Sequence, residues 1–115
     1  MRVRAGIAVG AVAAALALTA PADASADYGA IAVNPATGAA GVGFNFNKKG
    51  PALRRAQREC PGNCRISIWV RNQCGATVLN NDRFISRPGR TKRKAIRRAK
   101  DAAGGGRLVA WVCSG

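Results

Sequence analysis

Arg65-Ile66-Ser67-Ile68-Trp69-Val70 returns 42 positions later as Arg107-Leu108-Val109-Ala110-Trp111-Val112. Both runs are short, rich in β-branched and aromatic residues, and end in Trp-Val, which reads as a strand. Gly29-Ala30, ahead of the first run, answers to Gly75-Ala76, ahead of the second. Between these markers Ala52, Ala56 and Cys60 recur as Ala95, Ala99 and Ala103, 43 positions on. Small residues every fourth position form one stripe of a helix. The offset falls from 43 to 42, so the second helix-to-strand loop is one residue shorter. Two copies are too few for a solenoid, which needs three or more. The pattern predicts a duplicated strand-strand-helix-strand unit whose halves pack together, an α+β domain with mainly antiparallel sheet and two helices.

The remaining elements follow from local signals. Residues 28–33 and 39–46 flank Asn34-Pro35-Ala36-Thr37-Gly38 and read as a β-hairpin. Gly41 and Gly43 alternate with Val42 and Phe44, which implies a close backbone approach or a bulge. Pro51 suits the first position of a helix. Its stripe of Ala52, Leu53, Ala56 and Cys60 leaves Arg54, Arg55 and Arg58 outside. Residues 74–79 are expected as a strand, with a polar turn at Asn80-Asn81-Asp82 and a short strand at 83–86. Pro88-Gly89 is expected to break the chain before a second helix at 90–103, which Gly104 stops by taking a left-handed turn. Residues 108–113 form the last strand. Trp69 and Trp111 fall at positions expected in the core.

The second helix carries most of the charge. Seven of the eleven positions from 90 to 100 are cationic: Arg90, Lys92, Arg93, Lys94, Arg97, Arg98 and Lys100. Lys92 and Arg93 stand near the positive end of the helix dipole, and Lys94 and Arg98 are like charges four apart. Each such feature costs roughly 0.2–1 kcal/mol. Charge set against helix stability points to charge kept for contact; the competing account is a solvated face.

At the N-terminus, Arg2 and Arg4 precede an apolar run over residues 5–19, and Ala22-Asp23-Ala24 and Ala24-Ser25-Ala26 fit a small-x-small cleavage rule. Residues 1–26 therefore read as a cleaved signal peptide, and 27–115 as a single secreted domain. As a membrane span the run is too short, since about 20 residues are needed. No other stretch is apolar enough, so no transmembrane span is expected in the mature chain. The 89 residues that remain hold 17 basic and four acidic side chains, a net +13. A net charge of about 2–8 suffices for solubility of a small domain. Exported domains of this size commonly rely on disulfides. Four cysteines, Cys60, Cys64, Cys74 and Cys113, allow three pairings, and spacing alone does not choose among them.

Catalytic chemistry finds little support. The chain has no His, so imidazole bases and His-dependent triads are excluded. Glu59 and Asp101 sit at matching helix ends, but each stands beside Arg or Lys and reads as surface ion pairing. Gly104-Gly105-Gly106 follows a helix, whereas a phosphate cradle precedes one. A Cys60/Cys64 metal site would lack the further Cys or His ligands zinc wants. No cofactor is implied, and the chain is not expected to be an enzyme.

As a set, Tyr28-Gly29-Ala30-Ile31-Ala32, the alanine-striped helix ending at Cys60, the tight loop to Cys64, the strand ending at Trp69, Cys74-Gly75-Ala76 and the closing Val109-Ala110-Trp111-Val112-Cys113 resemble the secreted bacterial family catalogued as domain of unknown function 4189. The resemblance covers Tyr28 to Ser114. It implies a small disulfide-bonded fold and an exported location, and it brings no established activity. Members often carry another cysteine pair around the second helix-to-strand loop; here Ala103 and Gly106 stand in those places. With that pair missing, the expected bridges are Cys60–Cys64 across a tight turn and Cys74–Cys113 between two strands.

The functional expectation is a secreted, cationic, non-catalytic binding module for anionic polymers: wall polyphosphate, acidic lipid headgroups or extracellular nucleic acid. Its expected contacts are the seven cations of 90–100, joined by Lys48, Lys49, Arg54, Arg55 and Arg58 if the two helices share a face. Arginine outnumbers lysine 14 to 5, and its planar fork suits phosphate. The alternatives are a protein-interaction or inhibitor domain whose basic face docks on an acidic protein, and a hydrolase of unrecognised type.

Overall fold

The computed structural model describes residues 27–115, so the expected signal peptide lies outside the described residues. The first half runs β1 (Tyr28–Val33), β2 (Ala40–Phe46), α1 (Lys49–Glu59) and β3 (Arg65–Arg71). The second runs β4 (Cys74–Asn80), β5 (Arg83–Gly89), α2 (Lys92–Ala103) and β6 (Arg107–Cys113). Each half is a three-stranded antiparallel sheet with its first strand in the middle, in the orders β2-β1-β3 and β5-β4-β6. The duplicated strand-strand-helix-strand layout read from the sequence is the fold.

Strand alternation decides how the layers stack. On β1, Ala30 and Ala32 pack against Ala52, Ala56 and Cys60 of α1. Ile31 and Val33 point the other way and join Val70, Val112 and the partly buried Val42, Ile68, Phe84 and Val109. In the second half Ala76 and Val78 meet Ala95, Ala99 and Ala103 of α2. The layers therefore run α1, sheet, sheet, α2, with the helices on opposite outer faces. Ile31, Val33 and Val70 are fully buried between the sheets, each worth about 1.5–3 kcal/mol of transfer free energy.

The halves lock reciprocally. A Cβ on Gly29 would lie 3.1 Å from Cγ2 of Val112, and one on Gly75 would lie 3.0 Å from Cγ1 of Val70. Each half thus seats its β-strand valine over the other half's glycine, as in a two-fold interface. The interface is not apolar throughout. The Thr77 hydroxyl, fully buried, lies 2.9 Å from that of Ser67 and 2.7 Å from that of Ser86. Ser67 also donates to the Ile31 carbonyl at 3.3 Å. Matching positions of the other half are Val109, Ile31 and Val42, all apolar.

Most local expectations hold, with four corrections. Asn81 and Asp82 both take positive φ, 49° and 66°, the mark of a tight primed hairpin turn. Gly104, at φ 76°, ends α2, and the Gly105 N–H reaches back to the Lys100 carbonyl at 2.9 Å. Strand β5, however, continues through Pro88 and Gly89; as an edge strand it tolerates proline. The second helix starts at Lys92, because the Thr91 hydroxyl caps it by accepting from the Lys94 N–H at 3.1 Å. The first helix starts at Lys49, so Pro51 is its third residue; an N–H there has no intrahelical partner either, and no bond is lost. Fourth, Trp69 and Trp111 lie at the surface instead of in the core.

The small residues are there for contact with backbone. A Cβ on Gly41 would lie 2.5 Å from the Ala56 carbonyl oxygen and from the Cys60 nitrogen, so α1 rests directly on β2. Gly41→Ala is expected to lower stability by about 1–3 kcal/mol, through overpacking against main chain that cannot yield. Gly50→Ala is the control. Its Cβ would meet only the end of the Arg54 side chain, 3.4 Å away, and a helical Gly→Ala exchange gains up to about 1 kcal/mol. Urea midpoints that moved equally for both would reject this account of the contact.

Candidate functional site

Three buried alanines fix the rotation of α2. With Ala95, Ala99 and Ala103 against the sheet and Ile96 packed beside them, the charged residues between them point outward. Arg90, Lys92, Arg93, Lys94, Arg97, Arg98 and Lys100 are all exposed. Of these, Arg90 precedes the helix and the other six lie on it. Arg98 donates to the Pro88 carbonyl at 3.2 Å, which ties the helix to the end of β5. Among the described residues one ion pair forms, Arg55 with Glu59 at 3.0 Å, both half-exposed. Within that same set, none of the α2 cations forms an ion pair, although Asp101 shares the helix four positions after Arg97.

On the other outer face, Lys48, Lys49, Arg54, Arg55 and Arg58 are likewise exposed. The structure does not bring the two basic helices together, because both sheets lie between them. The condition attached to the α1 residues, a shared face, is not met: the cations form two separate surfaces. Glu59 and Asp101 are separated in the same way and form no carboxylate pair.

The tryptophans are not core residues. Trp69 is 46% and Trp111 42% exposed. Their register explains why. Trp69 lies opposite Ala30 and Trp111 opposite Ala76, so both stand on the helix-bearing face of their sheet. Each helix packs chiefly over the other two strands, leaving the outer face of β3 and of β6 open beside the helix start. There Lys49 Nζ sits 4.0 Å from the Trp69 ring centre and Lys92 Nζ 4.1 Å from that of Trp111. Such a cation–π pair is worth about 0.5–1 kcal/mol at an exposed site.

A signal for these paired sites was present in the sequence and missed. Lys49-Gly-Pro-Ala-Leu-Arg-Arg-Ala56 matches Lys92-Arg-Lys-Ala-Ile-Arg-Arg-Ala99 at an offset of 43. The lysine and the arginine pair recur together with the alanines that orient them. The halves differ behind the tryptophans. Tyr28 lies opposite Arg71 and stacks with it at 5.8 Å; the equivalent pair in the other half is Cys74 opposite Cys113.

Both expected disulfides are formed, Cys60–Cys64 and Cys74–Cys113, so all four cysteines are bonded. No helix of the described residues is long and apolar enough to cross a membrane. Both features are compatible with a secreted or extracellular protein.

The NMR structure of Rv1813c from Mycobacterium tuberculosis is similar to this chain, with a TM-score of 0.62 at 32% sequence identity. The match covers 76% of this chain and 74% of that one. No curated protein matches. The model of one family, described as a domain of unknown function (DUF4189), matches residues 28–113, which span all six strands, both helices and both disulfides, and the chain belongs to that family.

Proposed function

We propose that this protein is a secreted, non-catalytic binding module whose exposed cations engage linear anionic polymers outside the cell or in its envelope. The observation that carries the reading is the state of the α2 surface: seven cations between residues 90 and 100, all exposed and, among the described residues, without a carboxylate partner. Solubility does not call for this arrangement, since a net charge of about 2–8 is enough. The helix bears it at a cost, with Lys92, Arg93 and Lys94 in its first turn and no acidic residue there. The Thr91 cap and the glycine C-terminus offset that cost locally, at about 1 kcal/mol for the cap.

Binding of this kind is governed by counterion release, so its signature is salt dependence. The mature protein is expected to bind inorganic polyphosphate, heparin and single-stranded DNA with log K falling linearly in log salt. Five to seven phosphate contacts predict a slope of roughly −4 to −6. Salt-independent binding, or saturable binding to one acidic protein with the polymers ignored, would refute the reading.

A further inference from the structure

We infer that the domain is bivalent: its two halves present equivalent cationic sites on opposite faces, and one molecule bridges two strands of a linear phosphate polymer. The inference rests on the polyanion-binding reading above and goes beyond it in number and geometry.

Comparison of the halves carries it. At buried positions a duplicated unit is held to its residue types by packing, whereas an exposed position accepts almost any polar residue. Drift should therefore show on the surface first. Much of the surface has drifted, as at Gln57/Lys100, Arg58/Asp101 and Glu59/Ala102, but three exposed cations have not, even where the interior has changed. Between the sheets, Ser67, Thr77 and Ser86 stand where the other half has Val109, Ile31 and Val42. The Cys74–Cys113 bridge stands where the other half has Tyr28 and Arg71. Yet the exposed Lys49, Arg54 and Arg55 are matched by Lys92, Arg97 and Arg98. The half-exposed tryptophan under each lysine is matched too, at 4.0 and 4.1 Å.

Equal side chains stand on equally placed helices, although Arg55 pairs with Glu59 while Arg98 reaches the Pro88 carbonyl. Ala52 and Ala56 press α1 onto its sheet as Ala95 and Ala99 press α2. Lysine, arginine pair and tryptophan thereby occupy matching positions of helix and sheet on each half. Since α1, two sheets and α2 are stacked in that order, the two arrangements face away from each other. A polymer strand lying along one helix leaves the other free for a second strand. Arginine's planar fork and lysine's point charge both suit repeated phosphates. The tryptophan adds a ring surface that a base-bearing strand can use and bare polyphosphate cannot.

The test is the stoichiometry of short ligands, measured by calorimetry in dilute buffer with short-chain polyphosphate in one arm and a short single-stranded oligonucleotide in the other. Wild-type protein is expected to take up two chains per monomer. K49Q/R54Q/R55Q and K92Q/R97Q/R98Q are each expected to take up one. With long-chain polymer, wild type scatters light as a cross-linked complex, while each variant binds and leaves the solution clear. Circular dichroism checks that the variants fold. Two chains in both arms assign recognition to phosphate alone; two chains only with the oligonucleotide add the tryptophan ring to the site. One chain per wild-type monomer with binding intact, as a strand wrapped around the edge of the sheets would give, overturns bivalence and leaves the binding reading standing. An α1 variant that still takes up two chains, or clustering of anionic vesicles with neither polymer bridged, also overturns it. No binding in either arm removes both.

Discussion

A chain with Cys74 and Cys113 both changed to serine is expected to melt roughly 15–30 °C below wild type. These residues face each other in register, Cys74 opening β4 and Cys113 closing β6. Their bridge closes 39 residues of chain, including all of β5 and α2. The chain-entropy model assigns such a loop about 4 kcal/mol, and each kcal/mol moves the melting point of a domain this size by about 4–8 °C. The Cys60–Cys64 bridge spans a separation of four residues and is worth about 2 kcal/mol in the same model. The first half shows what the sheet does without a bridge at this register position: Tyr28 and Arg71 stack there instead, for about 0.5–1 kcal/mol. Thermal melts of the two double-serine variants measure the difference. A larger loss on removing Cys60–Cys64 would contradict the assignment of the long loop as the main cross-link.

How much of this was legible beforehand depends on whether a feature is set within one half or between halves. The duplication is local, carried by residues such as Trp69 and Trp111 at a fixed offset, and it yields the element order directly. Asn81-Asp82 and Gly104 act through their own backbone conformations, so their turns could be read in place. The exposure of the tryptophans could not. An apolar strand records which residues avoid water on average, not which edge of the sheet a helix leaves uncovered. Strands β3 and β6 lie at that edge. The separation of the two basic helices was hidden for a similar reason. Small-residue stripes on α1 and α2 allow close approach to a sheet or to each other. The choice is made by glycines such as Gly41, where a methyl group would come within 2.5 Å of the Ala56 carbonyl oxygen. The recurrence of Lys-x-x-Ala-x-Arg-Arg-Ala lies in plain view in the sequence, but its alanine stripe marks the buried side of the motif and says nothing of the exposed one.

If the α2 cations exist to meet a polyanion, binding and stability should separate to an unusual degree. In R93Q/R97Q/R98Q the polymer contacts of α2 should go while the fold stays. All three side chains are exposed and none has an ion-pair partner among the described residues. Removing them relieves like-charge pairs four apart, Arg93 with Arg97 and Lys94 with Arg98, at about 0.2–0.5 kcal/mol each. Losing the Arg98 bond to the Pro88 carbonyl costs about 0.5–1.5 kcal/mol. These terms nearly cancel, so the melting temperature should move by only a few degrees. Affinity of the α2 site should fall about a hundred- to a thousandfold at low salt, because three of its phosphate contacts are lost. The decisive quantity is the polyphosphate binding constant of the α2 site over one salt series, measured in K49Q/R54Q/R55Q protein, which lacks the α1 site, with and without R93Q/R97Q/R98Q. With those three changes added, the slope of log K against log salt is expected to be shallower by about 3. Identical slopes with a matched melting temperature would mean that these arginines face only water, and the polyanion reading would fail.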